Sequence, residues 1–292
     1  MSDKCPWCQS EKAHKHLSLK DYFLTQEPFE ILVCEDCGLL YTTPKPTDEK
    51  IGDYYKSEAY YSHQENKKGF IPRVYEAVKS VNLKHKIAIA TQGKELGRLL
   101  DIGCGVGDFL HFAEQNGWQC IGAEPSEDAS SIAKKRIKAE IMLPKDLEKL
   151  PDESFDVITM WHVLEHVSDL QWQVNQLNRL LKKGGRLVIA LPNFRSYDAQ
   201  YYKDKWAAYD VPRHLNHFSQ DSIAKIFNIN GLIQNQTQKL VWDAFYISFM
   251  SEKYRQKSLP LLRGIYRGMI SNLKARKNGE WSSLVYVFEK RI

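Results

Sequence analysis

The sequence of 292 residues has no long apolar run, no apolar leader and no internal repeat. No stretch reaches the roughly 18 consecutive apolar residues that a membrane-spanning helix requires. The N-terminal segment MSDKCPWCQS also lacks the hydrophobic core of a secretory signal. These absences predict a cytoplasmic protein. The content of 43% hydrophobic and 26% charged residues is typical of a globular chain, and the length is enough for one large domain with an accessory module.

The sequence also lacks a strong excess of charge of either sign. A formal net charge of +5 argues only weakly for a nucleic-acid partner. The excess is concentrated in residues 251–292, which contain ten Lys or Arg against three Glu. The basic segment 251–279 has apolar residues at helical spacing, which predicts a helix packed on a sheet with a solvated basic face. The alternative is peripheral contact of this segment with an anionic membrane.

Cysteine is scarce outside the first 37 residues, where four of the six form two CxxC pairs. In a reducing compartment, such pairs are more typical of a metal site than of a disulfide framework. Each CxxC turn presents two thiolates to one ion, so two turns complete the tetrahedral shell that zinc prefers. We therefore predict a structural zinc site, with two metal-free thiol turns as the alternative. Its ligands would be Cys5, Cys8, Cys34 and Cys37.

Strand and helix patterns alternate through residues 98–193. The apolar run RLLDI is followed by the helical pattern DFLHFAEQNG, and further strand patterns follow at WQCIGAE, AEIML, FDVITMW and RLVIALPN. Short apolar runs of this kind are buried on both faces. Strict alternation with such runs predicts a parallel sheet covered by helices.

The loop after RLLDI carries glycines at alternate positions, at Gly103, Gly105 and Gly107. The dinucleotide fingerprint GxGxxG would place its third glycine at position 108, where this chain has Asp108. Asp101 ends the strand directly before the loop, and its charge would repel a pyrophosphate. The pattern therefore favours a positively charged cofactor over NAD.

The segment DIGCGVG at 101–107 resembles the first motif of class I S-adenosylmethionine (SAM)-dependent methyltransferases. Further motifs follow in the family's order, with an acid at Glu124, FDVI at 155–158 and GGRL at 184–187. The segment WHVLEHV at 161–167 resembles that of the quinone-biosynthesis type. The resemblance implies an α/β fold with a doubly wound, seven-stranded Rossmann-like sheet. Its final strand would be antiparallel and inserted between the fifth and sixth strands.

The resemblance also implies roles for the residues of the cofactor site. In this family the glycine loop passes beneath the methionine part of SAM, and the acid before the loop organises its amino end. The acid after the second strand accepts both ribose hydroxyls, and the residues after the third strand contact adenine. The expected SAM-binding residues are Asp101, Gly103, Cys104, Gly105, Gly107, Glu124, Asp146, Leu147 and Trp161.

Resemblance to methyltransferases with an N-terminal zinc ribbon extends over most of the chain. It rests on CGLLY at 37–41, the proline-containing and Tyr-rich segments after it, and DVPRHLNHFS at 210–219. Many such proteins are thought to act in surface-glycan or secondary-metabolite pathways. The expected division is a zinc ribbon at 1–45, a connector with N-terminal helices at 46–97 and a methyltransferase domain at 98–292. An acceptor-facing insert is expected near 194–220.

The methyl acceptor is expected beyond the carboxyl ends of the fourth and fifth strands, because ligands of open α/β sheets bind there. The candidate acceptor-side catalytic residues are His162, Arg213 and His214. A histidine suits a general base, since its unperturbed pKa is near 6.5. The alternatives are a packed, hydrogen-bonded histidine and, for Arg213, an ion pair with a local acid such as Asp210.

The sequence thus predicts SAM-dependent methyl transfer, at O or C, to a small molecule or to a glycan- or lipid-linked precursor. One alternative is an inactive zinc-ribbon protein that binds SAM and a partner, which the complete set of cofactor motifs disfavours. The other is a nucleic-acid methyltransferase. The modest charge disfavours it, as does the segment LPNFRS, which stands where amino-directed enzymes carry their Asn/Asp-Pro-Pro-Tyr/Phe signature.

Overall fold

The computed structural model describes residues 4–55 and 70–291, which form two sheets. Residues 56–69, which include most of the Tyr-rich stretch, lie outside the described residues. The strands are β1 (Ala13–Lys20), β2 (Pro28–Cys34), β3 (Leu40–Thr43), β4 (Arg98–Ile102), β5 (Gln119–Ala123), β6 (Glu140–Met142), β7 (Phe155–Trp161), β8 (Leu181–Pro192), β9 (Asn216–His217), β10 (Leu232–Lys239) and β11 (Ser283–Lys290).

The helices lie between these strands and after them. They are α1 (Asp48–Ile51), α2 (Phe70–Thr91), α3 (Asp108–Gln115), α4 (Glu127–Arg136), α5 (Leu170–Leu180), α6 (Tyr197–Tyr202), α7 (Gln220–Asn228), α8 (Asp243–Tyr254) and α9 (Pro260–Asn278). Short 3-10 turns occur at Gly52–Tyr55, Pro144–Lys149, Leu164–His166, Lys203–Lys205 and Ala207–Tyr209. In the part of the chain that is described, no helix is both long and apolar enough to cross a membrane.

The larger sheet has seven strands in the order β10-β11-β8-β7-β4-β5-β6. Strands β4 to β8 are all parallel to one another, whereas β11 is antiparallel to both β8 and β10. The last strand of the chain therefore lies between the fifth and sixth strands of this sheet. The predicted doubly wound architecture and the insertion of its final strand are both confirmed.

Helices cover both faces of this sheet because alternate strand residues point to opposite sides. Leu99 and Leu100 show this directly, since these neighbours belong to different apolar clusters. Residues of α5 and α7 pack in the cluster of Leu100, and residues of α2, α3 and α4 pack in the cluster of Leu99. This two-sided burial explains why the strand segments of the sequence are almost continuously apolar.

The smaller sheet joins the cysteine-containing module to the acceptor-side insert. Strands β1, β2 and β3 are antiparallel, and β9 adds to the edge of β3 in the register Leu40↔His217 and Tyr41↔Asn216. Cys5, Cys34 and Cys37 also pack in the same apolar cluster as the main sheet. The domain division expected from the sequence stays a prediction, but the module's sheet includes residues far beyond position 45.

The basic helix α9 does not pack as the sequence predicts. Its main partners are α8 and α6, and the residues it buries are Gly264, Gly268, Ser271 and Ala275. Small residues face α8 because the two backbones approach closely. Most of the apolar side chains expected in the core are instead 47–61% exposed, namely Leu262, Ile265, Tyr266, Met269 and Leu273, together with Leu261. The expectation that this helix packs on the sheet is wrong.

The close approach of α8 and α9 makes Gly264 sensitive to any side chain. A Cβ at this position would lie 2.6 Å from the Cα and 2.7 Å from the backbone nitrogen of Phe249. We expect Gly264→Ala to lower the free energy of unfolding by about 1–3 kcal/mol, because one helix must shift. Gly52→Ala is the control, since its Cβ would have nothing within 4 Å. Equal melting temperatures for the two variants would contradict this packing.

Candidate active site

The glycine loop after β4 has a backbone that requires glycine. Gly103, Gly105 and Gly107 have φ angles of 72°, 54° and 80°, in the left-handed region that side chains disfavour. A Cβ on Gly103 would also lie 2.3 Å from Cγ2 of Val163. Gly107 is the N-cap of α3. The loop is therefore a tight turn that opens a helix at the carboxyl end of the sheet.

Glu124 fixes the position of this loop. Its Oε2 accepts a hydrogen bond of 2.8 Å from the backbone N–H of Gly105, and its Oε1 accepts one of 2.8 Å from that of Ser126. The side chain is 8% exposed. A single carboxylate thus connects the loop after β4 to the start of α4, and each of its oxygens retains a further lone pair.

Asp101 is a buried carboxylate at the end of β4. Its Oδ1 accepts a hydrogen bond of 2.6 Å from the Thr159 hydroxyl, and the residue is only 2% exposed. Burial raises the pKa of Asp101 to about 7. The Thr159 hydrogen bond and the charge of Lys86 oppose this shift, and the charge of Glu124 adds to it. A cationic group placed here would relieve the cost of desolvating the carboxylate.

A cleft of about 730 Å³ lies beside the loop. Of the residues predicted to bind SAM, five line it: Asp101, Gly103, Cys104, Gly105 and Trp161. His162, predicted for the acceptor side, lines it as well. The remaining wall comes from α2, from Val106 and the start of α3, and from the segment 239–243 at the end of β10.

The other four predicted cofactor residues do not line this cleft. Gly107 caps α3, and Glu124 accepts a hydrogen bond from the backbone of the loop at Gly105. Asp146 pairs through Oδ1 with Nζ of Lys149 at 2.7 Å, and Leu147 is fully buried in the core. Their predicted contacts with SAM, including the ribose and adenine contacts, stay predictions.

Two charged residues of the cleft were missed by the sequence analysis. Lys86 of α2 places Nζ 4.7 Å from the ring centre of Trp161, and its burial lowers its pKa. Asp243 lies at the start of α8, and its Oδ2 is 3.0 Å from Nε2 of His162. A lysine within a helical pattern and an acid in a first helical turn are both ordinary, so no local signal identifies either residue.

His162 directly follows β7 and lies in the wall of the cleft. Its φ of 58° is in the left-handed region, and its N–H donates to the carbonyl of Ala190 at 3.0 Å. Its Nδ1 lies 3.4 Å from Oε1 of Glu165, while its Nε2 faces Asp243. Burial acts to lower the pKa of His162, but the two carboxylates outweigh it and raise the pKa to about 9. The ring is thus a paired cation at neutral pH.

A second cavity of about 600 Å³ adjoins the first. The two share His162 and Asp243 in their walls, together with Asn82 and Trp242. Residues of five segments line the rest of this cavity, and they include Phe23 before β2, Glu165 after β7 and several residues of α8. The cavity lies at the carboxyl end of β7 and β8, where the sequence placed the acceptor.

Arg213 and His214 also line the second cavity, but both have partners within the fold. Arg213 is 2% exposed, and its Nη2 lies 2.7 Å from Oδ1 of Asp21 and 2.7 Å from Oδ1 of Asp210. Arg213 thus forms the ion pair with Asp210 that the sequence analysis gave as the alternative. His214 donates from Nδ1 to the carbonyl of Ala208 at 2.8 Å. A catalytic role for either residue stays a prediction.

The four cysteines of the CxxC pairs come together. Sγ of Cys5 lies 3.5 Å from that of Cys37, Sγ of Cys8 lies 3.4 Å from that of Cys34, and all four lie within 4.8 Å of one another. A tetrahedron with Zn–S bonds of about 2.3 Å has edges of roughly 3.8 Å. The four thiols therefore fit one tetrahedral ion.

Comparison with known proteins identifies the family. A family model described as "Methyltransferase domain" matches residues 76–233, which is more than half of the chain. The chain therefore belongs to this methyltransferase family, and the resemblance stated from its motifs is confirmed.

A similar curated protein is the ubiquinone biosynthesis O-methyltransferase of Nitrobacter winogradskyi. It is 29% identical over 161 residues, which cover 51% of this chain and 61% of the relative. The chain thus spans about three fifths of the length of the first curated relatives that it matches.

Two solved structures share the fold. The geranyl diphosphate C-methyltransferase of Streptomyces coelicolor A3(2), in complex with Mg²⁺, geranyl diphosphate and S-adenosyl-L-homocysteine, has a TM-score of 0.53 at 16% identity and covers 84% of this chain and 88% of its own. The [4+2]-cyclase SpnF has a TM-score of 0.55 at 16% identity and covers 85% and 98%. Because one of the two is titled a cyclase, likeness of fold alone does not define the reaction.

Asp101 makes the stability of the free protein depend on pH in a defined direction. Its pKa is raised to about 7, so the stability from its protonated form is present below about pH 4 and is lost as the pH rises through 7. Asparagine resembles the protonated form at every pH. We expect Asp101→Asn to raise the melting temperature at pH 8, by about 2–4 °C for each kcal/mol added to the free energy of unfolding. At pH 4 the melting temperature should change little.

Asp156→Asn serves as the control with the opposite sign. Burial acts against the charge of Asp156, but hydrogen bonds from Lys182 at 2.8 Å and from the N–H of Arg98 at 2.8 Å hold its pKa below the usual range. This variant should lower the melting temperature at pH 8. Calorimetry that shows destabilisation by both variants at pH 8 would contradict the assignment for Asp101.

Proposed function

We propose that the protein transfers the methyl group of SAM to a small molecule bound in the second cavity. The observation that carries the proposal is the junction of the two cavities. The cleft beside the glycine loop and the second cavity meet at His162 and Asp243, so a donor in one would present its reactive group to an acceptor in the other.

The chemistry of the cleft suits SAM. When bound, SAM supplies an electrophilic methyl group on a positively charged sulfonium. The buried carboxylate of Asp101 suits the ammonium group of its methionine part, and the free lone pairs of Glu124 suit a vicinal diol. The indole N–H of Trp161 is buried and has no hydrogen-bond partner among the described residues, so it is available to a bound ligand.

On the acceptor side the protein mainly positions and desolvates. Methyl transfer is an in-line displacement, and holding the two reactants in line supplies much of the rate. Aromatic side chains of Phe23, Tyr246 and Tyr254 line the second cavity and offer apolar contact area to an acceptor. The name of the curated relative, an O-methyltransferase, supports an oxygen acceptor in a small molecule.

The zinc ribbon has a structural part in this proposal. Four cysteine thiolates would fill the coordination shell of zinc and leave no position for a substrate. The ion would hold the turn before β1 against the turn after β2, and the sheet of this module pairs with β9 of the acceptor-side insert. We therefore propose that zinc stabilises one wall of the second cavity.

Calorimetric titration with SAM tests the cofactor assignment. We expect the wild type to bind SAM and Glu124→Gln to bind it at least tenfold more weakly, because the amide cannot accept at both of its ends. Glu127→Gln, in the exposed first turn of α4, is the matched control and should bind like the wild type. Absence of SAM binding by the wild type would overturn the proposed function. Equal binding by Glu124→Gln would refute the role of Glu124.

We further propose that the exposed face of α9 docks on an anionic membrane. Its six exposed apolar side chains, from Leu261 to Leu273, lie on a helix that also carries Arg263, Arg276 and Lys277. An apolar face beside basic residues is typical of helices that lie in the membrane interface. Helix α8 lies between this face and the second cavity and contributes to the wall of the cavity. A lipid-linked acceptor therefore has a short path to the site.

Vesicle sedimentation tests this docking. We expect the protein to sediment with phosphatidylglycerol vesicles, less with phosphatidylcholine vesicles, and to lose most binding when Leu262, Ile265 and Met269 are all changed to Ser. Each of these apolar side chains contributes about 1.5–3 kcal/mol when buried. Ile229→Ser, which removes an apolar side chain 77% exposed elsewhere, is the control. Equal sedimentation of the triple variant and the wild type would refute the proposal.

A further inference from the structure

One flank of α9 is basic, and its side chains line neither of the two cavities. An ideal helix places four basic side chains on this flank, between the buried small residues and the exposed apolar ones. They are Arg263, Arg267, Lys274 and Lys277. The helix contains no acidic residue, so none of these charges has an oppositely charged partner within α9.

Two of these cations lie against tyrosines of α6. The guanidinium carbon of Arg267 is 4.0 Å from the ring centre of Tyr201, and Nζ of Lys274 is 4.0 Å from that of Tyr197. The two rings stack, with 6.0 Å between their centres. A guanidinium that stacks through its face keeps its in-plane N–H groups for other partners. Among the described residues, no acidic side chain pairs with Arg267 or Lys274.

The tyrosine hydroxyls add further donors at this place. Tyr197 accepts from Nη1 of Arg267 at 3.5 Å, and Tyr201 accepts from Nη1 of Arg255 at 2.9 Å. A phenol that accepts one hydrogen bond still has its own hydrogen to donate. The ion pair that the described part of the chain gives this group is weak, with Oε1 of Glu252 3.4 Å from Nη1 of Arg255. We call this group of side chains the donor cluster, and its members are Arg255, Arg267, Lys274, Tyr197 and Tyr201.

The composition of the donor cluster suits a tetrahedral oxyanion. Two arginines, one lysine and two phenols supply hydrogen-bond donors, and the carboxylate of Glu252 opposes them. A phosphate accepts two parallel hydrogen bonds from one arginine and further charge-assisted bonds from a lysine. A phosphate bound here would therefore accept from N–H and O–H groups that the fold leaves without acceptors.

We propose that the donor cluster binds the phosphate of an anionic lipid headgroup. The neighbouring apolar face of α9 favours a lipid, because acyl chains beside a bound phosphate would cover Leu262 and Met269, which are both exposed. The backbone of a nucleic acid offers phosphates without such chains. The choice of a lipid rests on the membrane docking proposed above, whereas phosphate binding by the donor cluster does not.

Titration calorimetry with a water-soluble phosphatidate tests the site on the full chain. Dihexanoyl phosphatidate is added below the concentration at which it forms micelles. We expect saturable binding by the wild type and about tenfold weaker binding by Arg267→Gln, which loses charge-assisted hydrogen bonds. Arg276→Gln is the matched control and should bind like the wild type. It removes the same charge from an exposed position on the opposite flank of α9.

Tyr197→Phe covers the case in which Arg267→Gln fails to fold. It removes one hydroxyl donor from the donor cluster, so binding of the phosphatidate should weaken by about threefold. Absence of saturable binding by the wild type would overturn the site, as would equal weakening by Arg267→Gln and Arg276→Gln.

Two further probes distinguish a lipid from other sources of phosphate. Inorganic phosphate should bind the wild type more weakly than the phosphatidate does, because it has no acyl chains to cover the apolar face. Equal affinity for inorganic phosphate would overturn the assignment to a lipid. Tighter binding of polyuridylate than of the phosphatidate, lost in Arg267→Gln, would overturn it in favour of a nucleic acid.

The variant with Leu262, Ile265 and Met269 changed to Ser separates this inference from the membrane docking. If docking through the apolar face is wrong, this variant sediments with vesicles like the wild type, while Arg267→Gln still weakens binding of the soluble phosphatidate. None of these measurements uses SAM. A failure of the proposed methyl transfer would therefore leave their outcome unchanged.

Discussion

The acceptor side of this protein depends on one buried guanidinium. Arg213 lies between Asp21 of the N-terminal module and Asp210 of its own loop, at 2.7 Å from each, and is almost fully buried. Removing one partner of such a buried pair costs about 3–5 kcal/mol, since a charge is left without compensation. The interaction fixes the loop that carries His214 against a module nearly 200 positions earlier in the chain.

Further contacts join the N-terminal cysteine module to the same loop. Thr42 of β3 donates from its hydroxyl to the carbonyl of His214 at 2.7 Å and lies 2.9 Å from Nε2 of His217. The edge pairing of β3 with β9 continues these contacts. Residues of the insert therefore take their positions from the ribbon's sheet. The cysteine module is thus part of the scaffold of the second cavity.

The cofactor half could be predicted from the sequence because its signals are local. The φ angles of Gly103 and Gly105, the acid at Asp101 and the alternation of strands and helices are set within short segments. The order of the sheet was implied by the resemblance to the methyltransferase family. The acceptor half could not be predicted in this way. Asp243 contacts His162 only because the chain passes around the sheet between them. The apolar side chains of α9 are exposed because its small residues pack against α8.

This division has a chemical consequence. The cofactor half ends in His162, a cation held by Asp243 and Glu165, and its raised pKa makes it a poor proton acceptor at neutral pH. A hydroxyl bound in the second cavity could give its proton to His162 only if the ring first lost its own. Glu165 belongs to both halves, because its Oε1 lies 3.4 Å from Nδ1 of His162 and its side chain also lines the second cavity.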